Sequence, residues 1–232
     1  MKSRVQGFFV TGTGTNVGKT YASRLLAEGL SRRGPVSYMK PVHTGVARPK
    51  NALMFAPDFE YVKKSGVLVA GDHRLHVPYC FAPACSPHLA ARLARTKILL
   101  PHIVACFDKI GSLPGMENGC IVVEGAGGVL VPLGPSESMI HLMRRLRIPA
   151  IVVTMPCLGT LNHTFLTMCA LASADVAVAG LIVNNRHNCR EDYVYRDNVK
   201  TIRAFAGGIP VVELGYGRGR AALREFCDDI VR

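Results

Sequence analysis

The stretch Gly12-Thr-Gly-Thr-Asn-Val-Gly-Lys-Thr20 follows directly on the apolar run Phe8-Phe9-Val10 and combines the residue types that bind phosphate. Glycines let backbone amides approach anionic oxygens, a lysine neutralises their charge, and a threonine hydroxyl can ligate magnesium. Gly18, Lys19 and Thr20 fill these roles, and Thr15, Asn16, Val17 and Tyr21 complete the loop. Five residues separate Gly12 from Gly18, one more than in the common phosphate loop. The context supports the reading despite that insertion: a β-branched and aromatic strand precedes, and Tyr21 to Leu30 continues with helical apolar spacing. The chemistry predicted is that of a nucleoside triphosphate.

Two further segments fall at strand ends, Tyr38-Met-Lys-Pro-Val-His-Thr-Gly45 and Val123-Glu-Gly-Ala-Gly-Gly128. With the first loop they bring Lys19, Lys40, Thr20, Thr44, Glu124 and the bare amides of Gly125, Ala126 and Gly127 towards one crevice, a phosphoryl-transfer constellation. A glutamate closing a buried apolar strand is costly without a cation, so Glu124 is expected to be a magnesium ligand.

The elements that must position these groups alternate. Apolar, β-branched runs at 8–11, 36–40, 121–124, 150–154, 178–184 and 210–214 are separated by helical patterns at 19–32, 87–95, 101–110, 139–147, 161–172, 192–206 and 221–231. Continuous apolar strands are buried on both faces. The expectation is therefore an α/β fold, a three-layer arrangement with a mostly parallel sheet and helices on both faces. Ser86-Pro87 reads as a helix start. Residues 41–85 carry prolines, glycines and weak periodicity, and are expected to run as an irregular connection over the carboxyl ends of the strands. No repeat, low-complexity stretch or linker divides the sequence, so residues 1–232 are expected to form a single domain.

Apolar residues make up 49% of the 232, enough for a sizeable core. No apolar run approaches the ~20 residues of a membrane span, and Met1-Lys2-Ser3-Arg4 leads into the first strand without a cleavage-site pattern, which suits the cytoplasm. The eight cysteines show no Cys-x-x-Cys pair and no zinc spacing, so most are expected to be reduced thiols. The net charge of +12 is spread over Arg32-Arg33, Arg144-Arg145-Arg147 and Arg218-Arg220-Arg224, with no nucleic-acid-binding motif beside it. Solvated faces and attraction of small anionic substrates are expected, rather than nucleic acid or membrane partners.

These motifs resemble the dethiobiotin synthetases, whose phosphate loop has the form Gly-Thr-x-Thr-x-Val-Gly-Lys-Thr, extra residue included. The likeness extends to Lys-Pro-Val-x-Thr/Ser-Gly at Lys40–Gly45, Ser-Pro-His at Ser86–His88, Val-Glu-Gly-Ala-Gly-Gly at Val123–Gly128, and Leu-Gly-x-Leu/Ile-Asn-His at Leu158–His163. It covers nearly the whole chain.

The resemblance implies that ATP and carbon dioxide convert 7,8-diaminopelargonic acid to dethiobiotin in biotin synthesis, within a homodimer. It implies that Lys19 holds the β- and γ-phosphates and that Lys40 stabilises a carbamate and the transferring phosphoryl group. Thr20, Asp58 and Glu124 would form the magnesium set, Asp58 by alignment of Asp-Phe-Glu-Tyr with the family's aspartate. Thr15 and Thr44 would meet the substrate's reacting end. Gly159, Thr160, Leu161 and Asn162, opening a helix, would bind its distal carboxylate. Asn184 would read the adenine, with Asn185, Tyr216 and Gly217 nearby. Here the sequence departs from the family: Val212-Glu-Leu-Gly-Tyr-Gly217 replaces the usual Gly-x-Ile-Pro, so the loop at the nucleotide's edge is altered.

A partition-type switch ATPase that binds DNA or membrane is the principal alternative. Such proteins carry a second lysine early in the loop, whereas this loop begins Thr11-Gly12-Thr13, and no terminal amphipathic helix is evident. An amide-forming synthetase of cobalamin metabolism usually adds a glutaminase domain, for which 232 residues leave little room. A lapsed binding protein would not be expected to keep Lys19, Thr20, Lys40 and Glu124 together.

Overall fold

A computed structural model describes residues 6–46, 56–216 and 218–231. Six strands form one parallel sheet: β1 (Gln6–Gly12), β2 (Val36–Met39), β5 (Cys120–Gly128), β6 (Ala150–Thr154), β7 (Val178–Asn184) and β8 (Val211–Leu214). Their spatial order is β2-β5-β1-β6-β7-β8. The six strands read from sequence are these six, and the α/β expectation is met.

Side chains alternate across the sheet with period two and fill two separate cores. Phe8, Val10, Tyr38, Val122, Ile151 and Ile182 face one way, against α1 (Lys19–Leu30), α2 (Pro57–Lys63) and α9 (Arg220–Ile230). Phe9, Met39, Val123, Val152 and Val183 face the other, against α4 (Pro87–Leu93), α5 (Leu100–Gly111), α6 (Met139–Leu146) and α8 (Tyr193–Phe205). The remaining helix after β6 is α7 (Thr160–Ser173), which sends Leu171 into the second core. This is the three-layer arrangement anticipated from the apolar strands.

In its described parts, 41–46 and 56–85, the connection after β2 is more ordered than expected, while 47–55 lie outside the described residues. It contains β3 (Val42–Thr44) and β4 (Tyr79–Phe81), which pair in parallel as a second small sheet, together with α2 and α3 (His73–His76). Strands of three residues give no readable alternation, which is why the region looked irregular. Its structure protects a sheet edge. β2 lies at the border of the large sheet, and its outer side is covered when Leu68 donates its amide to Val36 at 2.7 Å and Ser37 donates its hydroxyl to the Leu68 carbonyl at 2.8 Å.

Ser86 stands at the N-cap of α4 with Pro87 in the first turn, as anticipated, though its side chain makes no capping hydrogen bond. Among the described residues, no helix is long and apolar enough to cross a membrane.

Candidate active site

The site grows out of strand register. Val10 pairs with Glu124 and Met39 with Val123, so Lys40, the residue after Met39, comes to stand beside Glu124. Tyr38, two residues earlier on the same face, reaches the same carboxylate. Tyr38 donates its hydroxyl to Glu124 Oε2 at 2.8 Å, while Lys40 Nζ and Thr20 Oγ1 donate to Oε1 at 2.5 and 2.9 Å. Glu124 is 1% exposed, and these three donors satisfy a charge that would otherwise be destabilising there.

Lys40 is held at both ends. Its amide donates to the His76 carbonyl at 2.8 Å, and His76 Nδ1 in turn stands 2.8 Å from the Tyr38 carbonyl oxygen. Its ammonium bridges Glu124 and Asp58, with Asp58 Oδ2 at 2.8 Å. Burial alone would lower the Lys40 pKa, but Glu124 and Asp58 outweigh it and hold the ammonium above its ordinary value. Burial likewise opposes the charge on Asp58, yet Lys40 keeps that carboxyl below its usual range. Asp58 sits in the first turn of α2 behind Ala56 at the N-cap, and its carboxylate is turned to Lys40 rather than to the helix end.

The phosphate loop delivers its groups from the other side. Gly18 closes it at φ +90, and a Cβ there would meet Asn184 Nδ2 at 2.0 Å, so glycine alone fits. Lys19 Nζ folds back onto the Gly14 carbonyl at 2.8 Å. Desolvation brings its pKa down to about 8, partly opposed by Glu124. Thr15 and Asn16 are exposed at the loop tip. Val17 is a core residue whose carbonyl accepts from Asn184 Nδ2 at 2.9 Å. Gly125, Ala126 and Gly127 continue along β5, and a Cβ built on Gly127 would lie 3.9 Å from Thr15 Oγ1, which brings the two glycine-rich segments side by side.

Beyond Thr20 and Asp58 opens a cavity of about 690 Å³, lined by Tyr21, Tyr61, Asn184, Arg186 and Tyr216 among others. Tyr21, Asn184 and Tyr216 thus fall together as expected. Asn185 does not join them: its side chain bonds the backbone of Cys189 at both its oxygen and its nitrogen. Gly217 lies outside the described residues.

Thr44 is half-buried on β3, four residues beyond Lys40. The α7 start is tied to the phosphate loop by hydroxyls: Thr13 and Thr154 are 3.3 Å apart, and Thr154 lies 2.8 Å from Thr160 and 2.9 Å from Thr164. Thr160 is thereby an internal group, its amide also donated to the Cys157 carbonyl at 3.1 Å. Gly159 and Asn162 are exposed at the helix start, and Leu161 is half-buried.

Sequence reasoning passed over His43. It is buried within the Lys-Pro-Val-x-Thr-Gly segment, with Nδ1 3.5 Å from Asp58 Oδ2, and burial and the neighbouring Lys40 lower its pKa. Its alternation with Thr44 on a three-residue strand was too brief a signal to find it. Tyr38 was findable, since position i−2 from Lys40 on a strand must share its face. Six of the eight cysteines are free thiols, in line with the expectation for most of them, and Cys157 and Cys189 form a disulfide that the sequence did not single out. Their separation of 32 residues concealed a pair that two loops bring together.

Among the described residues, no group of three or more His, Cys, Asp or Glu side chains is placed to hold a metal. Two carboxylates meet at Lys40, and the Thr20 hydroxyl bonds one of them, a hard-donor set that fits magnesium, which takes few protein ligands and completes its shell with water and phosphate.

A family model described as an AAA domain matches residues 6–214. In fold, HypB from Helicobacter pylori aligns with a TM-score of 0.55 at 14% identity, over 99% of this chain and 87% of its own. The ATP-dependent dethiobiotin synthetase of Paramagnetospirillum magneticum is 38% identical over 79% of this chain and 78% of its own length. That of Methanococcus vannielii is 34% identical over 88% of this chain and 90% of its own. With 34–38% identity to these synthetases over most of both lengths, the chain belongs to the ATP-dependent dethiobiotin synthetase family.

Proposed function

We propose that this protein carboxylates 7,8-diaminopelargonic acid with carbon dioxide and closes it to dethiobiotin, converting ATP to ADP and phosphate. The observation that carries the reading is Lys40, a buried ammonium held by Asp58 and by Glu124, which also accepts the phosphate-loop hydroxyl of Thr20.

One substrate amine adds to carbon dioxide and loses a proton, giving a carbamate. A carbamate oxygen then attacks the γ-phosphorus and expels ADP. The second amine attacks the carbonyl carbon of the mixed anhydride, and phosphate leaves as the ring closes. Each displacement places negative charge on oxygens, so fixed cations in a site with little water are what the reaction needs. Lys19 would turn from the Gly14 carbonyl to the β- and γ-phosphates, and Lys40 would meet the carbamate and the transferring group. Thr20, Asp58 and Glu124 would hold magnesium, which when bound neutralises phosphate oxygens and acts as a Lewis acid. Thr15 and Thr44 would orient the reacting end, and the first turn of α7, Gly159 to Asn162, would take the distal carboxylate. The cavity beside Tyr21, Asn184 and Tyr216 would take the nucleoside.

We further infer that the chain works as one domain in the cytoplasm, as a homodimer on small molecules, without nucleic acid or membrane. The test is direct. Purified protein with diaminopelargonic acid, bicarbonate, magnesium and ATP should yield dethiobiotin and one phosphate per turnover. Lack of ADP release dependent on the diamine would overturn the assignment. Hydrolysis stimulated by DNA or lipid would replace it with a switch ATPase.

A further inference from the structure

Cys157 lies two residues before Gly159, the N-cap of α7, and Cys189 lies five residues beyond Asn184. Their disulfide therefore joins the loop that opens α7 to the loop that leaves the end of β7, the strand that carries Asn184. The Cα atoms stand 6.7 Å apart, within the span a disulfide bridges without backbone movement.

Two buried amides anchor these backbones separately, and neither joins one loop to the other. Asn185 Oδ1 accepts the Cys189 amide at 2.7 Å, and its Nδ2 donates to the Cys189 carbonyl at 3.1 Å. Asn198 Nδ2 donates to the Pro156 and Cys157 carbonyls at 2.9 and 3.3 Å. When reduced, each thiol stays on an anchored loop within reach of the other, but the two loops are no longer tied together. Both cysteines are half-buried, within reach of a small reagent, whereas burial pushes the Cys120 and Cys227 thiols up to about 12 and removes them from thiolate chemistry. One bridge beside six free thiols is the pattern of a reversible pair, not of a chain stapled throughout.

We propose that Cys157 and Cys189 form a thiol–disulfide modification site whose oxidant is a low-molecular-weight disulfide of the glutathione class. One protein thiolate attacks the reagent's S–S bond and releases a small thiolate, leaving a mixed disulfide. The second protein thiolate attacks the protein sulfur of that mixed disulfide and releases the other small thiolate. The two protons lost by the cysteines protonate the two released thiolates, so the protein is oxidised and the reagent is reduced by two electrons. The bridge limits the motion of residues 155–159 relative to 185–189 and so pre-orders the start of α7. The consequence for catalysis rests on the function proposed above, whereas closure of the bridge does not.

The test uses the full chain and the Cys157→Ser/Cys189→Ser double variant, each treated with excess glutathione disulfide or with dithiothreitol, alkylated and mapped by mass spectrometry. In the oxidised wild type, Cys157 and Cys189 should escape alkylation and be recovered as one disulfide-linked peptide pair without a glutathione adduct, whereas Cys169, exposed and free, should carry the alkyl group or a glutathione mixed disulfide. The KM for diaminopelargonic acid should be about fivefold lower in the oxidised than in the reduced wild type, with kcat within about twofold, at the lower end of usual coupling between sites. The double variant should match the reduced wild type in both treatments. Alkylation of both cysteines after oxidation, an unchanged KM, or a response persisting in the double variant would each overturn the proposal. If no dethiobiotin forms under any treatment, the proposed function fails, and the alkylation map still decides the modification site.

Discussion

Thr13 and Thr154 place their hydroxyls 3.3 Å apart, and through that contact the phosphate loop is joined to the first turn of α7. Thr154 is wholly buried and also meets Thr160 and Thr164, so a cluster of four hydroxyls spans the two ends of the proposed substrate complex. Replacing Thr154 with valine keeps the volume but strands its neighbours. A loss of about 1–3 kcal/mol in chemical denaturation is expected from their unmet hydrogen bonds. Thr154→Ser should recover most of it, and a valine variant as stable as wild type would show the cluster to be incidental.

Lys40→Ala should bind ADP as the wild type does and lose turnover by about 10²–10³-fold, the usual effect of removing a fixed charge-stabilising group. It also leaves Glu124 and Asp58 without their shared cation, which should cost about 3–5 kcal/mol of stability. Magnesium should then raise the Tm of this variant more than that of the wild type. Equal shifts in thermal denaturation would remove Asp58 and Glu124 from the proposed magnesium set.

Gly18→Ala should abolish nucleotide binding. The new Cβ would overlap Asn184 Nδ2, and φ +90 is strained for any L side chain. Pairing it with Asn184→Ala relieves the overlap and leaves the backbone strain, so binding of a fluorescent ADP should return only in part. Full recovery would show that backbone conformation is unimportant there.

The Lys19 pKa near 8 sets a pH dependence. As a base lowered by folding, Lys19 binds fewer protons than in the unfolded chain, so its contribution to stability rises between about pH 8 and 10.5. Nucleotide binding runs the other way, because phosphate favours the ammonium. Affinity should be level below pH 8 and fall above it, with proton uptake on binding visible as buffer-dependent heats at pH 9. Absence of uptake would place the ammonium elsewhere.

Strand and helix positions were legible because six buried runs of β-branched residues admit one kind of sheet. Lys40 and Glu124 were legible too, as charged groups ending apolar strands. What the sequence hid depends on side-chain direction or distant pairing. Asn185 follows Asn184 so closely that they read as one motif, yet its side chain is engaged by Cys189. β3 and β4 are too short for periodicity, and His43 hid with them. The Cys157–Cys189 pair depends on two loops whose approach no local pattern encodes.

The pairing of β2 with β5 carries one further consequence. Tyr38, Lys40 and Glu124 meet because of the hydrogen-bond ladder between two buried strands, so a slip of one residue would turn Lys40 into the opposite core and part it from Glu124. The contact of Lys40 and Tyr38 with Glu124 therefore fails only when the sheet does. Heating should extinguish activity and unfold the strands at the same temperature, without an inactive but still folded form in between.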